Sequence, residues 1–137
     1  MLKRAYKHTL EEIMEKFTDV FRALSDKTRL RILHLFTFSK KELCICEIMD
    51  SLKLAQYNIS KHIRELKLTG LVKERKEGRF VFYSIVEPKN AFHRNILQTL
   101  KAIPKNNEDI ERLTKRVALR KNGKIVVGCL TSMGQCR

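Results

Sequence analysis

Apolar residues recur at spacings of three and four along most of this chain, which is the period of an α-helix that buries one face. Residues 9–24 form the first such stretch, and its glutamates stand near the start, where the helix dipole favours negative charge. Residues 28–36 predict a central core helix, which Ser25 or Asp26 can cap, and the polar residues 37–42 then break the pattern. The sequence therefore predicts a mainly α-helical protein whose first helix carries a wide apolar stripe.

The middle of the chain predicts two helices joined by a tight turn. Residues 42–53 supply the apolar positions of a short helix, Leu54 and Ala55 interrupt it, and an amphipathic helix follows until Gly70 stops it. The polar face of that second helix carries amide, hydroxyl and cationic groups, the types that read base edges and phosphates. These candidate DNA-binding residues are Gln56, Tyr57, Ser60, Lys61 and Arg64. The arrangement favours a helix-turn-helix, and the alternative is an ordinary solvated amphipathic helix.

A β-hairpin is predicted directly after this second helix. Residues 71–75 and 79–85 are rich in valine, phenylalanine, tyrosine and isoleucine, and Gly78 between them can supply the positive φ of a hairpin turn. A hairpin in this position is the wing of a winged helix, and cations at its tip would face a phosphate backbone. The candidate wing contacts are Arg75, Lys76 and Arg79. The fold class expected is mainly α with a β-hairpin wing, and a generic charged hairpin tip remains the alternative.

The last third of the chain predicts further helices. Residues 88–103 open with Pro88, which is common at a helix start, and carry one apolar stripe. Residues 106–121 follow helical spacing, and Asn122-Gly123 either ends that helix or turns a hairpin between residues 117–120 and 124–127. Both possibilities stay open at this point.

Charge and composition indicate what kind of partner the protein binds. The chain has 137 residues with 29 lysines and arginines against 15 acidic residues, a formal net charge of +14. Such a basic balance on a small globular chain indicates a polyanionic partner, nucleic acid first, with a membrane surface left open for residues 1–24. No apolar run approaches the length that spans a bilayer, and the first residues lack a secretory signal pattern. We therefore expect a cytoplasmic protein with no membrane partner.

Enzymatic chemistry has no support in the motifs. The sequence contains no CxxC pair, no glycine-rich phosphate loop and no G-x-S-x-G turn, and its four histidines have no motif context. We therefore expect neither an enzyme nor a small organic substrate. The expected division is a winged-helix DNA-binding and dimerisation domain at 1–103, with a helical extension and cysteine-containing tail at 104–137.

Cys44 and Cys46 are the sharpest chemical signal. Residues two apart point the same way only in extended backbone, and in a regular helix they diverge by roughly 200°. The pair therefore chelates best at a helix start, before the helix is regular. Thiolates select soft ions, here As(III), Sb(III), Cd(II), Pb(II) or the borderline Zn(II). The alternative is that the two cysteines are small buried hydrophobic residues.

Three segments in order resemble the ArsR/SmtB family of metalloregulatory repressors. FRALSDKTRLRIL resembles the opening signature of that family, ELCICEIMDSL its thiolate-bearing helix start, and AQYNISKHIRELKLTGLVKERKEGRFVFYSI its recognition helix and wing. The resemblance implies a homodimeric repressor that leaves a near-palindromic operator when metal binds. It implies a dimer interface on the first helix and the helix after the wing. The apolar residues at those positions are Ile13, Phe17, Val20, Phe92, Ile96 and Leu100.

The resemblance also bears on individual residues. The candidate residues of the second helix match DNA-facing positions of the family, and His62 matches a frequent family histidine for which a structural role and a DNA contact are both open. Arsenic-responsive members often carry a third cysteine where this chain has Met49. The N-terminal cysteines of the cadmium/lead type are absent from residues 1–43, and a zinc site on the dimerisation helix is rejected because only His93 lies there.

The remaining cysteines lie in the C-terminal tail. Cys129 and Cys136 could complete the site of Cys44 and Cys46, within one subunit or across a dimer, or they could be reactive thiols of a mobile end. The function expected is a repressor released from its operator by As(III) or another soft ion. The alternative is a redox or sulfide sensor of the same fold that forms a disulfide or polysulfide link.

Overall fold

The computed structural model describes residues 8–128. The elements in chain order are α1 (Leu10–Leu24), α2 (Lys27–Ser39), β1 (Leu43–Cys44), α3 (Ile45–Leu52), α4 (Gln56–Leu68), β2 (Val72–Glu77), β3 (Phe80–Ile85), α5 (Ala91–Lys101) and α6 (Glu108–Val117). Helix α4 follows α3 after a short turn, and a hairpin of β2 and β3 follows α4, so the predicted winged helix-turn-helix is confirmed. Among these helices, none has the length and apolar character needed to cross a membrane.

Helix α2 lies at the centre of the core. Ile32, Leu33 and Leu35 are fully buried, and helices α1, α3, α4, α5 and α6 all contact α2 or the residues beside it. The C-terminal helix α6 adds Ile110 and Leu113 to this same core. Burial of apolar side chains against α2 from several sides is therefore what holds the helices together.

The sheet has three antiparallel strands in the order β1-β3-β2. Strands β2 and β3 form the wing, and Gly78 in their turn has a φ of +59°. Strand β1 places Cys44 opposite Phe82 of β3. This strand was missed by the sequence prediction of one helix over residues 42–53, because only the tertiary pairing with β3 keeps Leu43 and Cys44 extended.

The end of α2 and the start of α5 differ from the predictions. Helix α2 is capped by Asp26, whose carboxylate accepts the Arg29 backbone N–H, and it continues to Ser39 rather than stopping at residue 36. Phe38 packs against the core and extends the buried face. Helix α5 begins after the cap Asn90 rather than at Pro88.

A tight turn follows helix α6 in the C-terminal extension. Helix α6 stops at Val117, before the predicted end at residue 121, and Lys121 and Lys124 form an isolated antiparallel bridge around Asn122-Gly123. Of the two possibilities left open by the sequence, the hairpin between 117–120 and 124–127 does not form, because a single bridge across Asn122-Gly123 is all that pairs there. Asn122-Gly123 does not end the helix either, since α6 has already stopped at Val117. The proposed division at residue 103 stays a prediction.

Candidate DNA-binding face and thiol site

The polar face of α4 lies on the surface of the protein. Tyr57 is 76% exposed, Lys61 and Arg64 are exposed, and Gln56 and Ser60 are half-buried. The opposite face of α4 is buried through Ile59, Ile63 and Leu66. These buried residues fix the rotation of the helix, so the five candidate residues point away from the core.

His62 connects α4 to the start of α2. Its Nδ1 lies 3.1 Å from Nη1 of Arg29 and 4.0 Å from Oδ1 of Asp26. Burial lowers the pKa of His62, while the nearby Asp26 acts in the opposite direction. Of the two roles open for this histidine, these contacts favour the structural one.

The wing cations are in different environments. Lys76 and Arg79 are exposed, whereas Arg75 forms an ion pair with Glu42 at 2.9 Å and lies 4.9 Å over the ring of Phe82. The Arg75 guanidinium lowers the pKa of the Glu42 carboxyl. Arg75 is also exposed, but its charge is already paired with Glu42, which lies two residues before Cys44.

The predicted dimerisation residues fall into two groups. Val20, Ile96 and Leu100 are buried in the core of the single chain, whereas Ile13 and Phe17 on α1 are each 37% exposed. The Phe17 ring packs edge-on against Phe92 of α5 at 4.5 Å. Other apolar residues of α1 share this exposed face, namely Leu10, Met14 and Phe21. The face available to a second subunit is therefore mainly that of α1.

Cys44 and Cys46 meet at the start of α3. Cys44 is the extended residue that caps the helix, and Cys46 lies in the first turn, as the sequence argument for a helix start predicts. Both are buried, at 1% and 0% exposure, in a cluster with Phe82 against which Ile125 packs. Cys44 is a free thiol, whereas Cys46 is disulfide-bonded.

The surroundings of Cys44 disfavour the thiolate. Burial raises its pKa to about 11, and the nearby Glu47 carboxylate adds to the increase. The backbone N–H groups of Glu47 and Cys46 act in the opposite direction. Cys44 is therefore a protonated thiol near neutral pH.

No group of three or more cysteine, histidine or acidic residues within residues 8–128 could hold a metal ion. The predicted ligands Cys129 and Cys136 lie outside the described residues. The described chain ends at Gly128, whose carbonyl oxygen accepts a hydrogen bond from Arg116 at 2.9 Å. Cys44 and Cys46 alone therefore form at most part of an ion site.

Arginines from the C-terminal extension bind α3, and sequence reasoning missed them. Arg112 donates to the Ser51 carbonyl oxygen at 2.6 Å, and Arg116 forms an ion pair with Asp50 at 2.8 Å. The Arg116 and Asp50 side chains are 2% and 6% exposed, so this pair is buried. Four-residue spacing of the arginines at 112, 116 and 120 was a signal in the sequence. The acidic partners of the last two, Asp50 and Glu47, lie 66 and 73 residues away on α3, so local spacing could not identify them.

A helix-turn-helix with an outward polar helix and a basic wing defines a winged-helix DNA-binding transcriptional regulator. The sequence profile of the bacterial regulatory proteins of the arsR family matches residues 26–74. An uncharacterized HTH-type transcriptional regulator of Methanocaldococcus jannaschii is 45% identical over 78 residues, which cover 57% of this chain and 86% of that protein. The chain belongs to the ArsR family, whose members are DNA-binding regulators and not enzymes.

Two other relatives have names that state a function. The arsenic resistance transcriptional regulator ArsR2 of Pseudomonas putida is 39% identical over 85 residues, 61% of this chain and 73% of that protein. A cadmium resistance regulatory protein CadC homolog of Staphylococcus aureus is 36% identical over 84 residues, 61% of this chain and 69% of that protein.

Solved structures agree with the fold. HlyU from Vibrio cholerae superposes with a TM-score of 0.57 at 28% identity, over 66% of this chain and 94% of that one. A homodimeric winged helix-turn-helix domain of Mycobacterium bovis Mb0332 has a TM-score of 0.58 at 21% identity, over 74% of this chain and 86% of that one, and supports the fold alone.

Proposed function

We propose that this regulator is a homodimeric repressor that leaves its operator when As(III) binds Cys44 and Cys46 together with a cysteine of the tail. The observation that carries the proposal is the position of the two cysteines, buried in one cluster at the start of α3. The proposal concerns the reduced protein, in which the disulfide of Cys46 is opened to a thiol. Helix α3 is the first helix of the helix-turn-helix and packs against the recognition helix α4. Movement at the thiols is therefore passed directly to the element that reads DNA.

A second connection runs from the thiols to the wing. Cys44 pairs with Phe82 of β3, and Arg75 lies over the Phe82 ring while it binds Glu42. An ion that pulls Cys44 and Cys46 together would change the backbone of residues 42–46 and with it the position of Arg75. The repressor is released if the geometry that holds the ion differs from the geometry that binds DNA.

The chemistry of Cys44 favours a neutral inducer over a dication. Arsenous acid exchanges each As–O bond for an As–S bond, and the thiol proton leaves in a water molecule, so no free thiolate is required. Cd(II), Pb(II) and Zn(II) instead release a proton from every thiol that they bind. Because burial holds Cys44 in the protonated form, this difference favours As(III), with Sb(III) next for the same reason.

A cysteine of the tail would complete a shell of three sulfurs around As(III). Ile125 packs on the cluster of Cys44 and Cys46, Arg116 holds the Gly128 carbonyl, and Cys129 is the next residue in the sequence. Cys136 is the other candidate. A pyramidal shell of three sulfurs suits As(III), whereas four would suit Cd(II) or Zn(II).

DNA recognition is assigned to α4 and the wing. We propose base contacts for the exposed polar positions of α4 and phosphate contacts for Lys76 and Arg79, with Arg75 released from Glu42 on binding. The residues proposed to contact the operator are Gln56, Tyr57, Ser60, Lys61, Arg64, Arg75, Lys76 and Arg79. All of them except the half-buried Gln56 and Ser60 are exposed, and this exposure and the net charge of +14 support the assignment.

The test is a titration of reduced full-length protein bound to labelled operator DNA, with arsenite, cadmium and zinc added separately. Arsenite should release the DNA at the lowest concentration. Cys44→Ser and Cys46→Ser should each abolish that release while DNA affinity without the ion stays within about threefold of wild type. Failure of every ion to release the wild-type protein would overturn the metal-sensing proposal.

A second candidate function is thiol-based redox sensing, and the disulfide at Cys46 is the observation that favours it. Two thiols give up two protons and two electrons to an oxidant such as hydrogen peroxide, which is reduced to water while the disulfide forms. The same assay, repeated with peroxide or polysulfide and no metal, separates the candidates. Full release by oxidant with no effect of arsenite would favour redox sensing.

A further inference from the structure

Arg120 of the C-terminal extension contacts the chain on both sides of the thiol pair. One guanidinium nitrogen, Nη2, donates to the Glu42 carbonyl oxygen at 2.7 Å and to Oε1 of Glu47 at 2.6 Å. Nε donates to Oε2 of Glu47 at 2.7 Å. Glu42 precedes Cys44 by two residues, and Glu47 follows Cys46 directly. One side chain therefore fixes both ends of the segment that carries the thiols.

Glu47 links this arginine to the cap of α3. Its Oε1 accepts the Cys44 backbone N–H at 3.1 Å, and the Cys44 side chain accepts the Glu47 backbone N–H in return. The Glu47 side chain is fully buried, and that of Arg120 is 12% exposed. The hydrogen bonds among these groups are charge-assisted and shielded from water, which makes them strong and directional.

Arg120, which makes these contacts with Glu42 and Glu47, lies outside the part of the chain that matches the arsR family. The match ends at residue 74, whereas Arg120 lies just after α6. Helix α6 is anchored on α3 by Arg112 and Arg116, so the position of Arg120 is set by two earlier contacts with the same helix. The extension thus reaches the thiol segment from a helix that these two contacts attach to α3.

We infer that Arg120 is a positioning residue of the thiol site, which holds residues 42–47 so that Cys44 and Cys46 face one binding space and stay shielded from solvent. The inference rests on the proposed sensing function of these thiols. A lysine in this place would keep the charge opposite Glu47, but it lacks the planar fork that reaches Glu47 and the Glu42 carbonyl together.

Arg120→Lys tests the inference, with Arg94→Lys, which makes the same change at an exposed arginine of α5, as the control. Both variants are made in the reduced full-length protein. Three quantities are measured for each: the midpoint of thermal unfolding, the rate of alkylation of Cys44 by iodoacetamide under native conditions, and the thiolate absorbance at saturating Cd(II). Cadmium is used here as a spectroscopic probe of how many sulfurs reach one ion.

Arg120→Lys should raise the alkylation rate of Cys44 at least about fivefold, the factor expected from losing one buried charge-assisted hydrogen bond. It should also lower the Cd(II)–thiolate absorbance, while its unfolding midpoint stays within a few degrees of the control. Equal alkylation rates and absorbance in the two variants would overturn the inference. A Cys44 alkylation rate in Arg120→Lys that equals the rate in wild type would also overturn it.

These readouts separate the inference from the proposed function. Alkylation of Cys44 needs no inducer, so Arg120→Lys can expose the thiol even if no ion releases the wild-type protein from DNA. Conversely, arsenite can release both wild type and Arg120→Lys at the same concentration with unchanged alkylation. That result would preserve the sensing function and exclude a positioning role for Arg120.

Discussion

At the scale of single residues, exposure and ion pairing distinguish the cations of the DNA-binding face. Arg64 is exposed on α4, Arg79 is exposed at the wing, and Arg75 is held by Glu42. A cation on a recognition helix can read a base edge, whereas one at a wing tip meets phosphate. The same residue type therefore has different expected effects at different positions.

Arg64→Ala should weaken operator binding by about 1–3 kcal/mol and weaken binding to random DNA much less, because a base contact carries sequence information. Arg79→Ala should weaken both by a similar factor, because phosphate contacts do not depend on sequence. Fluorescence anisotropy at fixed salt measures both. Equal losses on operator and random DNA for Arg64→Ala would mean that Arg64 contacts phosphate only.

His34 makes the stability of the protein depend on pH. Its side chain is buried, its Nε2 lies 3.1 Å from the Asn107 amide nitrogen, and its Nδ1 has no hydrogen-bond partner among the described residues. Burial lowers its pKa below the ordinary value of 6.5. As pH falls through 6.5, the unfolded chain takes up the proton first, so stability is lost between that pH and the lower pKa of the folded state.

The free energy of unfolding should therefore decrease from about pH 7.5 to about pH 5.5, and His34→Gln should reduce that decrease. Glutamine is neutral throughout and retains an amide that can bind Asn107. Urea denaturation at each pH measures the difference. His8→Gln, which removes an exposed histidine, is the control, and an identical pH dependence in wild type and His34→Gln would contradict the prediction.

At the scale of elements, the C-terminal helix acts as part of the core and as an electrostatic partner of α3. Ile110 and Leu113 are buried with the residues of α2 and α3, and Arg116 joins Asp50 to the Val127 and Gly128 carbonyl oxygens. A buried ion pair stabilises the folded protein little more than an apolar pair would, but removing one of its two members lowers the free energy of unfolding strongly. We therefore expect helix α6 to stabilise the fold mainly through Ile110, Leu113 and Arg116.

Arg116→Met should lower the free energy of unfolding by about 3–5 kcal/mol, because it leaves the buried Asp50 carboxylate without its arginine. Urea denaturation of the full chain measures this loss. Arg94→Met changes an exposed arginine of α5 in the same way and should stay within about 0.5 kcal/mol of wild type. A loss below about 1 kcal/mol for Arg116→Met would mean that α3 holds Asp50 without this partner.

At the scale of the whole molecule, residues 8–128 leave an apolar surface on α1 uncovered. Leu10 is 72%, Met14 49% and Phe21 53% exposed, all on α1. Exposed apolar clusters of this kind commonly mark an interface, and a symmetric dimer would pair two copies of the same helix. Two DNA-binding faces related in this way fit an operator with half-sites one helical turn apart.

Phe17→Ser should shift the protein from dimer to monomer at micromolar concentration and weaken operator binding, because each half-site then binds independently. Sedimentation velocity measures the first effect. The control is Val126→Ser, which removes a 53% exposed apolar side chain away from α1 and should leave the dimer intact. A dimer unchanged by Phe17→Ser would place the interface elsewhere.

Much of the fold follows from local pattern. The period of apolar residues predicted α1, α2, α4 and α5, and Gly78 between two β-rich segments predicted the wing. The same pattern predicted a single helix over residues 42–53 and ended α2 too early. Pairing of β1 with β3, and burial of Phe38 against the core, come from distant segments and leave no periodic signal in the sequence.

The sequence by itself determined the winged-helix class, the outward polar face of α4 and the placement of Cys44 and Cys46 at a helix start, because spacing of three, four or two residues fixes which side chains share a face. Only the tertiary structure decided that Arg75 binds Glu42 and that Arg120 binds both ends of the thiol segment. These partners are 33 to 78 residues apart, and such contacts depend on how helices pack rather than on local spacing.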